Sequence, residues 1–219
     1  GRGDAHRLGI IPFLSFFSPF LYSVLKDAGI IYNIIILYIF VKMNKEYEKL
    51  IDNLIKNGYL KTDYIINAFK NTDRKDFVLR EYERDAYANA PLPIGFGQTI
   101  SQPLTVAFMI ELLQPKAGDK ILEVGAGSGW QTAILSNIVG NPPAGGGKVV
   151  AIERIPELKQ MAEANVSKFN FIKKGIAEII EGDGSKGYKK EAPFNKIIAG
   201  AAASVNVPEE WKKQLKIGG

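Results

Sequence analysis

A glycine-rich turn preceded by an acid has the clearest chemical signature in this chain. Glu123 is followed at alternate positions by Gly125, Gly127 and Gly129. Glycines at this spacing let a ligand approach the backbone closely, and the helix start that follows offers free N–H groups to it. The turn therefore predicts a site for a nucleotide-like ligand, and a tight turn without a ligand is the alternative.

Two residues of this turn indicate which ligand. The dinucleotide fingerprint requires its third glycine at the position that Trp130 occupies. A carboxylate at Glu123 would repel a pyrophosphate, but it suits a ligand that carries ammonium and sulfonium charges. We therefore predict S-adenosylmethionine rather than a dinucleotide.

Two acids further along the chain could complete such a site. Glu153 ends an apolar run, where an acid accepts hydrogen bonds from ribose hydroxyls in sheets of this kind. Asp183 lies between Gly182 and Gly184 and could accept a hydrogen bond from an adenine amino group. The alternative for Glu153 is an ordinary carboxylate at the end of a strand.

Alternating strands and helices must position these residues. Apolar runs predict strands at Lys120–Val124, Lys148–Glu153, Ala177–Glu181 and Asn195–Ala199. Helical spacing predicts helices over residues 131–139, over 156–168 and from Pro208 onward. This order predicts an α/β fold, a Rossmann-like doubly wound, mainly parallel sheet with helices on both faces.

A helical segment precedes this core. Apolar residues at three- and four-residue steps predict a helix over 47–55, Thr62 is a candidate N-cap for a helix to Phe69, and Pro103 is suited to begin a helix through Leu113. Between them, residues 91–103 contain three prolines and two glycines, which argue against regular structure. We predict that this stretch is an irregular loop packed against the active site.

Composition excludes several kinds of chemistry. The 219 residues contain no cysteine and a single histidine, His6, so thiolate nucleophiles, cysteine zinc sites and histidine metal clusters are excluded, and we expect no metal. The net charge of +5 is too small to argue for nucleic acid as a partner.

Residues 1–42 differ from the rest of the chain. They contain two apolar runs, residues 8–25 and 28–41; the first is interrupted by Pro12 and Pro19, and the second is shorter than the roughly 20 residues of a membrane span. We interpret residues 1–42 as a hydrophobic extension, with a membrane anchor as the main alternative. The remaining segments are 43–115, a helical segment with the substrate loop, and 116–219, the cofactor-binding core.

From Met43 to Gly219 the chain resembles the protein-L-isoaspartate O-methyltransferases, which are class I S-adenosylmethionine-dependent methyltransferases. Four motifs carry the resemblance, of which the first is the most specific: residues 91–103, 123–129, 182–187 and 193–203. The resemblance implies methyl transfer from S-adenosylmethionine to the α-carboxylate of L-isoaspartyl residues, which initiates repair through a succinimide and leaves S-adenosylhomocysteine. It also implies damaged proteins and peptides as partners, a cytoplasmic monomer and no nucleic acid. Membrane association through 8–41 is a minor alternative.

The resemblance also assigns roles to individual residues. Ser101 is implied as the catalytic residue; because no base is available to activate it, we expect it to hydrogen-bond the substrate carboxylate or to orient the loop rather than to act as a covalent nucleophile. The cofactor would be bound by Glu123, Gly125, Gly127, Gly129, Glu153, Arg154, Asp183 and Gly184. The lid over cofactor and substrate would consist of Ile94, Gly95, Phe96, Gly97, Gln98 and Thr99.

Two departures from the family pattern accompany the resemblance. Residues 1–42 have no counterpart in the usual bacterial members. The family also continues beyond the position of Gly219 into further strands, so we expect the C-terminal strands of the sheet to be missing and the activity of the chain to suffer.

Other functions remain as alternatives. A class I methyltransferase could act on another small-molecule or protein carboxyl group. An NAD-dependent oxidoreductase fits the turn and Glu153, but not Trp130 or Glu123. A base methyltransferase would require an aromatic residue and prolines after the fourth strand to hold a flipped base, and residues 200–203 are glycine and alanine.

Overall fold

A computed structural model describes residues 45–140, 146–201 and 206–219. The predictions for residues 1–42, with the apolar runs 8–25 and 28–41, lie outside these residues. The chain divides into two compact units, residues 1–48 and 49–219. Of the first unit, the described residues 45–48 are helical. All the elements below belong to the second unit.

Two helices begin the second unit, as the apolar spacing predicts. Helix α1 covers residues 49–56, and its residues Leu50, Ile51 and Leu54 are buried. Helix α2 is Asp63–Lys70, with Thr62 at the N-cap position but without a side-chain cap. The Thr62 hydroxyl instead donates to a carboxylate oxygen of Glu111, at 2.8 Å. Two short 3-10 helices follow, Arg74–Phe77 and Arg80–Asp85.

The predicted irregular loop at residues 91–103 is in fact a β-hairpin. Strand β1 (Leu92–Gly95) pairs antiparallel with β2 (Gln98–Ile100), and the register shifts between Pro93 and Gly95. A proline is tolerated here because a two-stranded ribbon consists only of edge strands. Gly95, Phe96 and Gly97 all have positive φ at the tip, which turns the chain within a few residues. Helix α3 then spans Pro103–Leu113, as predicted.

The core sheet confirms the predicted fold class. Strands β3 (Lys120–Val124), β4 (Lys148–Glu153), β5 (Ala177–Glu181) and β6 (Lys196–Ala199) form a four-stranded sheet in the order β5-β4-β3-β6. All three pairings are parallel. Helices α4 (Trp130–Val139) and α5 (Pro156–Ser167) follow β3 and β4. Strand β6 is therefore an edge strand of the sheet as described.

Apolar side chains on and beside the sheet form one buried cluster. Its buried residues are Leu122, Val124, Val150, Ile152 and Phe194, and Tyr188 and Trp211 pack against them. Trp211 belongs to the short helix α6 (Glu209–Gln214). After α6 the chain returns beside the start of β6, where the N–H of Phe194 donates to the carbonyl of Gln214 at 2.8 Å.

No helix within the described ranges is long and apolar enough to cross a membrane.

Candidate active site

A cavity of about 490 Å³ opens at the carboxyl end of the parallel strands. Its walls come from the turns after β3, β4 and β5, from strand β2 of the hairpin and from α6. The predicted site residues that line it are Gln98, Thr99, Ser101, Gly125, Gly127, Glu153, Arg154, Asp183 and Gly184. Residues from four separate stretches of the sequence thus meet at one place, where α/β sheets of this kind bind ligands.

Two glycines of the turn let the chain pass close to the cavity. Gly125 has φ +87°, and a Cβ atom there would lie 2.9 Å from the Cβ of Ala201. Gly127 has φ +55°, and a Cβ atom there would lie 3.4 Å from Cδ1 of Ile94. Both positions require a backbone conformation that side chains rarely adopt, so the shape of the cradle depends on glycine.

Gly129, the third predicted glycine of the cofactor site, lies against a neighbouring helix. It does not line the cavity. A Cβ atom at Gly129 would lie 2.9 Å from Cγ2 of Val166 and 3.1 Å from the carbonyl oxygen of Ala162, both in α5. Glycine at position 129 therefore allows α4 to pack closely against α5. An isolated glycine in a sequence does not tell ligand contact from helix packing.

Glu123, another predicted cofactor-binding residue, contacts the cavity lining through Gln131. Its side chain is fully buried beneath the turn and does not line the cavity. Gln131 lies between: its amide donates to Oε1 of Glu123 at 3.0 Å, and Gln131 itself lines the cavity. Burial raises the pKa of Glu123 to about 8, so its carboxyl group is protonated at neutral pH.

Glu153 lies where the sequence predicts, at the end of β4 and at the cavity wall. Its Oε2 accepts the N–H of Gly127 at 2.9 Å, and its Oε1 accepts those of Arg154 and Ile155 at 2.9 and 3.1 Å. A carboxylate offers about four acceptor positions, so one remains on Oε2 for a ligand hydroxyl. Glu153 thus joins the glycine turn to the end of β4 and can still accept from a ribose.

Asp183 follows β5 and begins a short 3-10 turn, Gly184–Lys186. Its Oδ1 accepts from the N–H and the hydroxyl of Ser185, at 3.0 and 2.7 Å. These hydrogen bonds lower the pKa of Asp183, so it is an ionised acceptor at neutral pH. Its Oδ2 lies 3.7 Å from Nζ of Lys186.

The hairpin divides the predicted lid residues into two groups. Gln98 and Thr99 line the cavity together with Ser101, whereas the predicted lid residues Ile94, Gly95, Phe96 and Gly97 are not part of its lining. Ile94 is buried, and Phe96 at the tip is 57% exposed. The hairpin therefore turns its second strand toward the cavity and its tip toward solvent.

The cavity lining also includes residues that the sequence did not predict, among them Gln131 and Trp211. Gln131 follows the turn, and Trp211 of α6 donates its indole N–H to the carbonyl of Gly184 at 2.8 Å. A tryptophan in a short amphipathic helix resembles a core residue in the sequence, so no local signal marks it. No group of His, Cys, Asp or Glu among the residues with described positions could hold a metal ion.

Comparison with known proteins identifies the family to which this fold and cavity belong. The family model "Protein-L-isoaspartate(D-aspartate) O-methyltransferase (PCMT)" matches residues 44–219. Similar curated proteins include the protein-L-isoaspartate O-methyltransferase of Ignicoccus hospitalis, 44% identical over 81% of this chain and 80% of the relative. That of Methanopyrus kandleri is 42% identical over 78% of this chain and 73% of the relative.

Solved structures give the same result. One protein-L-isoaspartate O-methyltransferase superposes with a TM-score of 0.69 at 30% identity; it covers 79% of this chain, which spans about half (53%) of the solved one. The Plasmodium falciparum enzyme in complex with S-adenosyl-L-homocysteine superposes with a TM-score of 0.69 at 25% identity and covers 78% of this chain and 79% of its own. From its sequence, its parallel sheet and its cavity, this chain belongs to the protein-L-isoaspartate O-methyltransferase family.

Proposed function

We propose that the cavity at the carboxyl end of the sheet is the active site, where this chain transfers a methyl group from S-adenosylmethionine to the α-carboxylate of L-isoaspartyl residues in damaged proteins and peptides. The observation that carries the proposal is that one cavity joins the glycine turn, Glu153 and Asp183 with Ser101 of the hairpin. One chain supplies all of these residues, which is consistent with action as a monomer.

The residues present fit S-adenosylmethionine. The volume of about 490 Å³ lies within the range of small-molecule sites. One ligand could use three features of the lining: the close backbone approach at Gly127, the free acceptor position of Glu153 for ribose hydroxyls, and the carboxylate of Asp183 for an adenine amino group. When bound, S-adenosylmethionine supplies a methyl group on a positively charged sulfur.

The protein must orient its substrate rather than activate it. An α-carboxylate has a pKa below 4 and is ionised at neutral pH, so it requires no general base. Orientation in a site that excludes water can supply roughly 7–11 kcal/mol of the barrier. The described cavity contains hydroxyl, amide and backbone donors suited to this task, and both Ser101 and Thr99 supply a hydroxyl on the hairpin side.

Ser101→Ala should reduce methylation of an isoaspartyl peptide without weakening cofactor binding. A hydrogen bond to a charged group is worth roughly 1.5–3 kcal/mol, so its loss lowers kcat/KM by about tenfold to a hundredfold. The affinity for S-adenosylhomocysteine should stay unchanged in calorimetry, because Ser101 lies outside the glycine turn, Glu153 and Asp183.

The controls for this experiment are a variant and a peptide. Ser167→Ala changes an exposed serine at the end of α5 and should behave like the wild type. The same peptide with normal aspartate should not be methylated. Wild-type kinetics in Ser101→Ala would remove this residue from the active site, and absence of methylation of the isoaspartyl peptide by the unaltered chain would contradict the proposed function itself.

Asp183→Ala should weaken the binding of S-adenosylhomocysteine by at least tenfold, or about 1.4 kcal/mol. The substitution removes the ionised acceptor beside Gly184 in the cavity wall. Calorimetric titration measures the affinity, and Lys186→Ala, which removes only the cation 3.7 Å from Oδ2, is the control. Equal affinities for wild type and Asp183→Ala would remove Asp183 from the cofactor site. Titration with NAD, for which we expect no binding, tests the oxidoreductase alternative.

A further inference from the structure

Arg74 is a fully buried arginine at the start of the 3-10 helix Arg74–Phe77. Its guanidinium donates to four backbone carbonyls. Nη1 lies 2.7 Å from the oxygen of Ala86 and 3.2 Å from that of Ala88. Nη2 lies 2.9 Å from the oxygen of Ala90 and 3.1 Å from that of Ser101. Because burying a charge is unfavourable unless it is well paired, so many contacts indicate a site shaped for a guanidinium.

The four carbonyls lie on both sides of the hairpin base. Ala90 comes two residues before β1, and Ser101 directly follows β2, so Nη2 alone joins the entry of the hairpin to its exit. The planar fork of a guanidinium fixes the directions of its hydrogen bonds, and a lysine ammonium does not. The position of the Ser101 backbone therefore depends on the shape of the Arg74 side chain.

The same guanidinium also contacts the element that begins after the glycine turn. Its Cζ lies 5.5 Å from the ring centroid of Trp130, the first residue of α4, in a cation–π contact. Trp130 is fixed in turn, because its indole N–H donates to the carbonyl of Thr72 at 3.1 Å. Arg74 thus contacts both halves of the cavity wall: the hairpin side through Ser101 and the cofactor side through Trp130.

We propose that Arg74 is a positioning residue that sets the backbone of Ser101 relative to the glycine turn. This role rests on the proposed function, because it acts through Ser101, which faces the substrate. Misplacing a positioned group by a fraction of an ångström lowers the rate while leaving cofactor contacts intact. The expected result of disturbing Arg74 is therefore a loss that depends on the presence of the Ser101 hydroxyl.

A double-mutant cycle tests this dependence. Arg74→Lys, which keeps the charge but loses the fork, should lower kcat/KM for the isoaspartyl peptide about tenfold in the wild-type background. In the Ser101→Ala background the same change should lower it by less than about threefold. The affinity for S-adenosylhomocysteine should change by less than about twofold in both. An equal loss in the two backgrounds, or no loss, would overturn the proposal.

Tyr87→Phe is the matched control. The Tyr87 hydroxyl donates to Asp73 at 2.9 Å. Tyr87→Phe therefore removes one hydrogen bond next to Arg74 but none of the four that the guanidinium donates. It should leave the coupling to Ser101→Ala unchanged. Should Arg74→Lys fail to fold, Arg74→Gln takes its place. Loss of the fold in both would also contradict the proposal, since a positioning role leaves the sheet intact.

Amide hydrogen exchange gives a readout that does not depend on activity. In Arg74→Lys, exchange should accelerate at residues 98–101 and remain as in the wild type at 121–124 of β3. Tyr87→Phe should not accelerate exchange at 98–101. Unchanged exchange at 98–101 in Arg74→Lys would overturn the positioning role, whether or not the unaltered chain methylates the peptide. Failure of the unaltered chain to methylate the peptide would by itself contradict only the proposed function.

Discussion

Gly129→Val should lower the free energy of unfolding by about 3 kcal/mol or more. A left-handed backbone costs a residue with a side chain roughly 1–2 kcal/mol, and overpacking costs another 1–3 kcal/mol. Gly129 has φ +86°, and its added Cβ would lie 2.9 Å from Val166 and 3.1 Å from the backbone of Ala162, which cannot move aside as a flexible side chain can. Urea unfolding, together with a decrease in melting temperature of roughly 6–12 °C, measures the effect.

Gly95→Val separates the two causes of this loss. Gly95 has φ +90°, but nothing lies within 4 Å of the place where its Cβ would be. This variant therefore carries the backbone strain without the overpacking, and it should lose much less stability than Gly129→Val. Equal losses in the two variants would show that helix packing is not what requires glycine at position 129.

The wild type should lose stability as the pH rises from 5 to 7.5, and Glu123→Gln should remove this loss. The folded pKa of Glu123 is about 8, compared with an ordinary value of 4.5. Between these two values the unfolded carboxyl group releases its proton while the folded one retains it, so the folded state is progressively disfavoured. The contribution between about pH 5 and about pH 7.5 is about 3 kcal/mol, and glutamine, a neutral isostere, does not titrate.

The measurement is the difference in unfolding free energy between Glu123→Gln and wild type, followed from pH 5 to pH 7.5. It should move in favour of the variant by about 3 kcal/mol. Glu191→Gln is the control, because Lys148 lowers the pKa of Glu191 from its ordinary value of 4.5. The stability that this ionised carboxylate contributes is lost only as the pH falls below about that value. The difference in unfolding free energy between Glu191→Gln and wild type should therefore be flat from pH 5 to pH 7.5. A flat difference for Glu123→Gln as well would show that this carboxyl group ionises normally in the fold.

Local patterns in the sequence predicted most of the core. The apolar runs predicted the bounds of β3, β4 and β5 correctly. The signal is clearest for β3 and β4, because parallel strands that are buried on both faces are apolar along most of their length. Pro103 and Pro156 marked the first residues of two helices, since a proline at that position lacks only an N–H that would have no partner there.

Features that are set by contacts between distant residues could not be predicted from the sequence. The sequence did not predict the hairpin at 92–100, because two short strands, one of them with a proline, do not show a clear alternation of apolar and polar residues. The distance of Glu123 from the glycines along the chain does not tell which way its side chain points, so the sequence does not predict its burial outside the cavity lining. No local pattern marks Arg74, because the carbonyls that it contacts lie 12 to 27 residues away along the chain. Such contacts are determined by the folded chain as a whole.

The three hydrogen bonds that Glu153 accepts have a consequence for binding kinetics. They fix Gly127, Arg154 and Ile155 before any ligand arrives. A site ordered in advance loses little conformational entropy when it is filled. The nucleoside end of a ligand should therefore dock in one fast step whose rate is limited by encounter rather than by rearrangement. Differences in affinity among nucleoside analogues should then arise almost entirely from how slowly each one leaves.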